Sequence, residues 1–296
     1  MNNKNLEKVV VIGGSGFIGS HVADELSNSG YDVTIFDNKP SPWLRNCQKI
    51  ILGDMLDPLQ VSRVIKDAQY VYHFAGISDI EESKNRPVDT IYSNIMGTTN
   101  VIQAAVESRV ERFVFASTMY VYSPYGSFYR ASKQAAETII ETYSENFGLN
   151  YTFLRYGSLY GPRAQEWNGI RRYVSQVIKE GKLKYNGTGK ERREYIHVSD
   201  AARLSIDILD DEYKNQAVTL TGLQILNSEE LIDMIFEIVG TKKNVTFVKN
   251  NKNNDHYTMT PYKFTPKQSK KIVPKKFIDI GEGILEIVAE IDLLAK

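Results

Sequence analysis

Short apolar runs recur along the first half of the chain, each followed by a stretch with apolar positions three and four apart. Residues 8–12 are continuous, β-branched and stopped by glycine, which predicts a strand. Further strands are predicted over 32–36, 48–52, 69–74, 112–116 and 151–155. Between them the spacing predicts helices over 17–29, 58–66, 87–108 and 129–147. Pro87 suits a first turn, and Gly148 suits the residue after a last one. Strands that are apolar along their whole length, alternating with helices, belong to a parallel sheet covered on both faces. The expectation is an α/β fold, a doubly wound Rossmann sheet. Past residue 156 the rhythm breaks at Gly157, Gly161 and Pro162. Helices are expected over 171–180, 198–209, 228–239 and 281–294, with short strands between, as a smaller α+β portion. The division drawn here is 1–156 and 157–296.

Composition narrows the function. Thirty-six Lys and Arg balance thirty-six Asp and Glu, so the chain lacks the charge of a dedicated nucleic-acid binder. Hydrophobic content of 42% and charged content of 24% are globular values. A single cysteine, Cys47, and four scattered histidines argue against a disulfide framework and a metal centre. No apolar run approaches the ~18 residues of a membrane span. A reducing cytoplasm is the expected compartment. The run from Lys263 to Lys276 carries six lysines among prolines and reads as a solvated loop.

Gly13, Gly16 and Gly19 fall three apart, after the first strand and into the first helix. A tight strand-to-helix turn needs positions without Cβ. The helix N-terminus then offers unpaired N–H groups and a positive dipole end to a pyrophosphate. Asp37 closes the second strand, with Asn38 beside it. A carboxylate there accepts from ribose hydroxyls and repels a 2′-phosphate, so NAD is favoured over NADP. Asp54, after the third strand, suits the adenine amino group. Its bland alternative is a helix cap before Pro58.

Tyr129 and Lys133 stand four apart at the start of a helix and share a face. A phenol near pKa ~10 is a poor base, and an ammonium one turn away stabilises its phenolate. Such a tyrosine takes a proton from a sugar hydroxyl while nicotinamide takes the hydride. Thr118, at the end of the fifth strand, is placed to hydrogen-bond the same oxygen, or merely to cap backbone.

The motifs together resemble those of the extended short-chain dehydrogenase/reductases, the NAD-dependent epimerase/dehydratase family of nucleotide-sugar enzymes. They run from Gly13-Gly14-Ser15-Gly16-Phe17-Ile18-Gly19 through Gly53-Asp54, His73-Phe74-Ala75-Gly76 and Asn94-Ile95-Met96-Gly97-Thr98 to Ser117-Thr118-Met119-Tyr120-Val121-Tyr122. Tyr129-Arg130-Ala131-Ser132-Lys133, the 154–163 segment ending Tyr160-Gly161-Pro162-Arg163, and Arg193-Glu194-Tyr195-Ile196-His197-Val198-Ser199-Asp200 complete the set. The resemblance implies Tyr129 as base, Lys133 as its partner and ribose anchor, and Thr118 as the sugar-hydroxyl ligand. It implies Gly13, Gly16, Phe17, Ile18, Gly19, Asp37, Asn38, Asp54 and Met55 along adenosine and pyrophosphate. Phe74, Ala75, Gly76 and Asn94 would lie on the ribose and nicotinamide side. Ser78, Thr118, Ser158 and Arg193 would meet the substrate, with Arg193 on its diphosphate. Its alternative is a surface ion pair. His197 reads as structural.

Four positions depart from the family. Met119-Tyr120 stands where the 4,6-dehydratases carry Asp-Glu, which weighs against water elimination. Ser158 replaces a common asparagine, and Ser78 stands where hexose 4-epimerases often carry lysine. Thr260-Pro261-Tyr262 stands near the family's C-terminal arginine, leaving Lys263 or Lys267 as substitutes. The resemblance implies a nucleotide-sugar 4-epimerase with tightly bound NAD. A C4 dehydrogenase or 4-keto reductase is the alternative, and a non-catalytic NAD sensor the third reading. It also implies a homodimer through the 87–108 and 129–147 helices, with Ile139, Ile140 and Tyr143 as candidate contacts.

Overall fold

The computed structural model describes residues 6–248 and 256–263. In chain order the elements are β1 (Lys8–Ile12), α1 (Phe17–Asn28), β2 (Asp32–Asp37), β3 (Lys49–Leu52), α2 (Pro58–Ile65), β4 (Tyr70–His73), α3 (Ile80–Asn85), α4 (Pro87–Ile91), α5 (Thr98–Glu107), β5 (Arg112–Thr118), α6 (Ser127–Phe147) and β6 (Tyr151–Tyr156). Then follow β7 (Ser158–Tyr160), α7 (Gly169–Glu180), β8 (Leu183–Asn186), β9 (Arg192–His197), α8 (Val198–Asp207), β10 (Gln216–Leu220), β11 (Ile225–Asn227), α9 (Ser228–Val239) and β12 (Val245–Val248). The helix expected over 281–294 lies outside the described residues.

Seven strands form one parallel sheet in the order β10-β6-β5-β4-β1-β2-β3. The α/β Rossmann expectation is therefore met. The continuous apolar strands have a direct cause. Val10 and Ile12 join a core with Val61, Ile65, Val101, Ile102, Ala136 and Ile140 of α2, α5 and α6. Val9 and Val11 join another with Val22, Leu26, Ala201 and Ala202 of α1 and α8. Alternate residues of a strand face opposite sides, so a sheet buried on both must be apolar at every position. Each such side chain contributes about 1.5–3 kcal/mol of burial. The seventh strand, β10, comes from beyond residue 156 and pairs with β6. A smaller core of Val177, Leu183, Ile232 and Phe236 holds α7, α9 and β8 together.

The single helix expected over 87–108 is interrupted. Tyr92–Gly97 takes a π-helical turn between α4 and α5. At its centre the Asn94 side chain turns away to bond Ile77, and Gly97 leaves room for Met55. A Cβ there would lie 2.9 Å from Met55 Cε. The α3 helix was missed, although Asp79 caps it by accepting from Glu82 N. Of the candidate dimer contacts, Ile140 is fully buried against the sheet, which removes it from any interface. Ile139 and Tyr143 pack partly against the same core.

Candidate functional site

A cleft of about 1680 Å³ opens at the carboxyl ends of β1, β2, β4 and β5. That is where an open α/β sheet binds its ligands. Of the expected site residues, Asn94 and the arginine substitute Lys263 do not line it, Lys267 lies outside the described residues, and all the others do line it.

The dinucleotide end is built mainly from backbone. Gly13 has φ +82°, and a Cβ there would sit 2.5 Å from Ala75 N. A Cβ on Gly19 would sit 2.3 Å from Gly13 O. No larger residue fits either place without moving backbone. Gly16 precedes α1 with no side-chain cap, so the first N–H groups of that helix face the cleft. Asp37 fixes the neighbouring wall. Its Oδ2 accepts from Ser15 N at 3.0 Å and its Oδ1 from Lys39 N at 3.1 Å. Asp54 accepts from Leu56 N, whereas the cap of α2 is Asp57, which accepts from Leu59 N and Gln60 N. The helix-cap alternative for Asp54 is thereby set aside.

Asn94 works from behind the cleft. Its Oδ1 accepts from Ile77 N at 2.7 Å, and its Nδ2 donates to Ile77 O at 2.9 Å and Ser132 Oγ at 3.0 Å. Ser132 Oγ in turn donates to Tyr129 O. One buried amide thus ties the loop at Gly76 to the first turn of α6. His73 is fully buried and hydrogen-bonded to Thr98 Oγ1 at 2.9 Å. Burial, and then the nearby Lys133 charge, push its pKa down to about 3.

At the end of β5 the Tyr129 hydroxyl bonds Thr118. Burial pushes the Tyr129 phenol up to about 12, with the Thr118 bond acting in the opposite direction. The expected lowering by Lys133 is not among the influences on it. Lys133 Nζ donates to Ala116 O at 2.7 Å and sits 4.5 Å from the Phe115 ring centroid. Burial brings Lys133 down to about 8, opposed by the Glu137 carboxylate one turn along α6. Glu137 itself grips Arg155 with both oxygens, at 2.6 and 3.0 Å, and accepts from Ser117 Oγ.

The far end is made of side chains. Arg193, on β9, makes no ion pair among the described residues, so no described acid supports the surface-pair alternative. Its guanidinium lies 5.4 Å from the Tyr257 ring. Burial works against its charge, but the hydroxyls of Tyr120, Tyr257, Tyr195 and Tyr185 outweigh it and hold its pKa raised. His256 and Tyr257 were not singled out in the sequence, and Tyr120 only as a departure from the dehydratase pattern. They line this end beside Ser78, Ser158 and Thr118. For Tyr257 the only sequence signal was an abundance of tyrosine, eighteen in all, and His256 had none. Thr260 accepts from Glu194 N at 3.3 Å, which fastens this segment to β9. His197 caps α8 through Ser199 N, a structural role.

Residues 9–220 match the model of the NAD dependent epimerase/dehydratase family. The chain belongs to that family. Among curated proteins it is 28% identical to the UDP-N-acetyl-alpha-D-glucosaminuronate decarboxylase of Bacillus cytotoxicus, over 82% of this chain and 83% of that one. It is 26% identical to a putative UDP-glucose 4-epimerase of Methanocaldococcus jannaschii, over 95% and 97%. Among solved structures, a Thermus thermophilus UDP-glucose 4-epimerase complexed with NAD superposes with a TM-score of 0.77. It is 25% identical, over 88% of this chain and 90% of that one. This family member is an NAD-dependent enzyme of the extended short-chain dehydrogenase/reductase type. The site fits that cofactor on its own features. The uncapped α1 N-terminus suits a pyrophosphate, and the anchored Asp37 carboxylate suits ribose hydroxyls. No helix of the described residues is long and apolar enough to cross a membrane.

Proposed function

We propose that this protein performs oxidoreduction at C4 of a nucleoside diphosphate sugar and acts as a 4-epimerase. The observation that carries the reading is the Tyr129–Thr118 hydroxyl pair beside Lys133, sharing one cleft with Arg193, which has no ion pair among the described residues. Arg193 offers a planar fork to the diphosphate. Thr118 holds the C4 oxygen, and Tyr129 takes its proton. NAD supplies the acceptor for the C4 hydride. The phenol's own surroundings hold its proton tightly, so the phenolate depends on positive charge brought beside it. Lys133 in its protonated form is the chain's source of that charge. After the 4-keto sugar turns over, hydride returns to its other face and Tyr129 returns the proton. The sugar leaves inverted at C4 with no net oxidation.

In this reading residues 1–156 carry the dinucleotide and residues from 157 onward the nucleotide of the substrate. Asn94 acts through the Gly76 loop. Met119 is fully buried and Tyr120 carries no carboxyl, so neither supplies the acid that water elimination requires. The names of the relatives make UDP-sugars the first substrates to try. Val88, Ile91, Tyr92 and Met96 leave an exposed apolar stripe along α4 and the π-turn. That supports a homodimer formed across this face, and the compartment we propose is the cytoplasm.

The test is product mass after incubation with UDP-, GDP-, CDP- and dTDP-sugars, without and with added NAD⁺. An isomer of unchanged mass and altered retention is expected. A product lighter by two hydrogens would mean a dehydrogenase, and one lighter by carbon dioxide a decarboxylase.

A further inference from the structure

The loop between β2 and β3 brings an indole to the cleft, at an end otherwise built from backbone. Trp43 is half-buried and lines the cleft with Asp37, Asn38, Pro40 and Pro42. Among the described residues it belongs to none of the hydrophobic cores. Its ring contact is with a charge: the Arg163 guanidinium lies over it, 5.4 Å from the centroid. Arg163 Nη1 is buried with no hydrogen-bond partner among the described residues, so the π face of the indole is what offsets its burial. Arg163 Nη2 donates to Asp24 Oδ2 at 2.8 Å. Asp24, buried on α1, receives Arg45 Nε at 3.0 Å and Gln48 Nε2 at 3.1 Å on its other oxygen. One carboxylate thus holds the β2–β3 loop with Oδ1 and Arg163 with Oδ2. The Arg163 segment is stapled to the same helix, since Ala164 packs with Phe17 and His21 Nε2 meets Pro162 O at 3.1 Å. Arg163 itself stands at φ +65°, a strained conformation that persists only where the surroundings enforce it.

We propose that Trp43 is a cofactor-retaining residue: clamped by Arg163 and Asp24, its indole covers the adenosine end of bound NAD and slows its release. Two placements carry the inference. Trp43 follows Asp37, the carboxylate suited to ribose hydroxyls, by six residues in one loop, and Pro40 and Pro42 restrict how that loop bends. The clamp rests on α1, whose uncapped N-terminus suits the pyrophosphate. An indole held between those two features offers a flat apolar face, which an adenine ring matches by stacking. The inference needs the dinucleotide site alone and holds whichever reaction follows at C4. It also supplies what a recycled cofactor requires, because hydride taken from a sugar must be returned before the cofactor leaves.

The experiment follows release of NADH from the NADH-loaded full chain, chased with excess NAD⁺ and read by the loss of bound-NADH fluorescence. Wild type is compared with Trp43→Ala, Trp43→Phe and Arg163→Met. ADP-ribose is titrated as a competitor that carries the adenosine end without nicotinamide. Trp43→Ala should release NADH at least about tenfold faster, equivalent to ~1.4 kcal/mol of lost retention, and ADP-ribose should lose affinity by a similar factor. Trp43→Phe keeps an aromatic face and should return release to within about threefold of wild type. Arg163→Met keeps the stem, removes the charge over the ring and should speed release about three- to fivefold. The inference is overturned if release from Trp43→Ala stays within about twofold of wild type, if Trp43→Phe releases NADH as fast as Trp43→Ala, or if ADP-ribose affinity is unchanged. An unaltered rate in Arg163→Met overturns the clamp. Release needs no turnover, so product formation in the same samples judges the C4 reading separately.

Discussion

The two ends of the cleft are made in different ways. The dinucleotide end is backbone: a glycine turn, an uncapped helix N-terminus and loop amides gathered on Asp37. The substrate end is side chains drawn from β5, α6, β9 and the 256–260 segment, with tyrosines around Arg193. A backbone site is specified by what must be absent, since a Cβ at Gly13 or Gly19 collides with main chain. A side-chain site is specified by what each residue reaches. Changes at the first end should disturb the fold and cofactor together. Changes at the second should alter chemistry and selectivity while the fold survives.

The largest expected effect is at the junction of the two. Tyr129→Phe keeps the ring and removes the proton carrier, so kcat should fall by about 10³-fold, within the range for a lost acid–base group. KM should stay within about threefold, and circular dichroism should match wild type. Next, Arg193→Ala should raise KM for the nucleotide sugar by at least about tenfold, because a charge-assisted phosphate contact is lost. NAD affinity, read by fluorescence titration, should not change. A comparable loss of NAD affinity would break the division between the ends.

Gly13→Ala should act in the opposite way. It forces a side chain into positive φ and against Ala75, at a cost of about 1–3 kcal/mol in denaturant unfolding, and weakens NAD binding. An effect confined to acid pH, and absent under assay conditions near neutrality, concerns the buried His73. Its folded pKa is down at about 3, against 6.5 for the free side chain. The unfolded chain therefore binds the extra proton more readily between those values. Stability should fall as pH drops from 6.5 toward 3, by up to about 1.4 kcal/mol per pH unit from this group. His73→Phe should flatten that part of the slope in urea titrations.

The same contrast explains what the sequence disclosed. Gly13, Gly16 and Gly19 could be read directly because their spacing is the turn. The alternation of apolar strands and helices gave the Rossmann sheet because burial on both faces leaves a simple pattern. The π-turn at Tyr92–Gly97 was not legible. It depends on Asn94 leaving its own helix to hold Ile77, seventeen residues away. Tyr120 and His256 are separated by 136 residues, and no local pattern joins them. The lysine effect on Tyr129 was inferred from helical spacing alone. In the fold Lys133 spends its proton on Ala116 O, and burial dominates both groups.

The central claim is hydride removal from C4 and its return to the opposite face. It is tested most directly with UDP-glucose deuterated at C4, analysed after turnover in ordinary water. The account predicts an epimer of unchanged mass that retains deuterium at C4, absent with Tyr129→Phe. Loss of the label to solvent, or inversion undiminished in the variant, would contradict it.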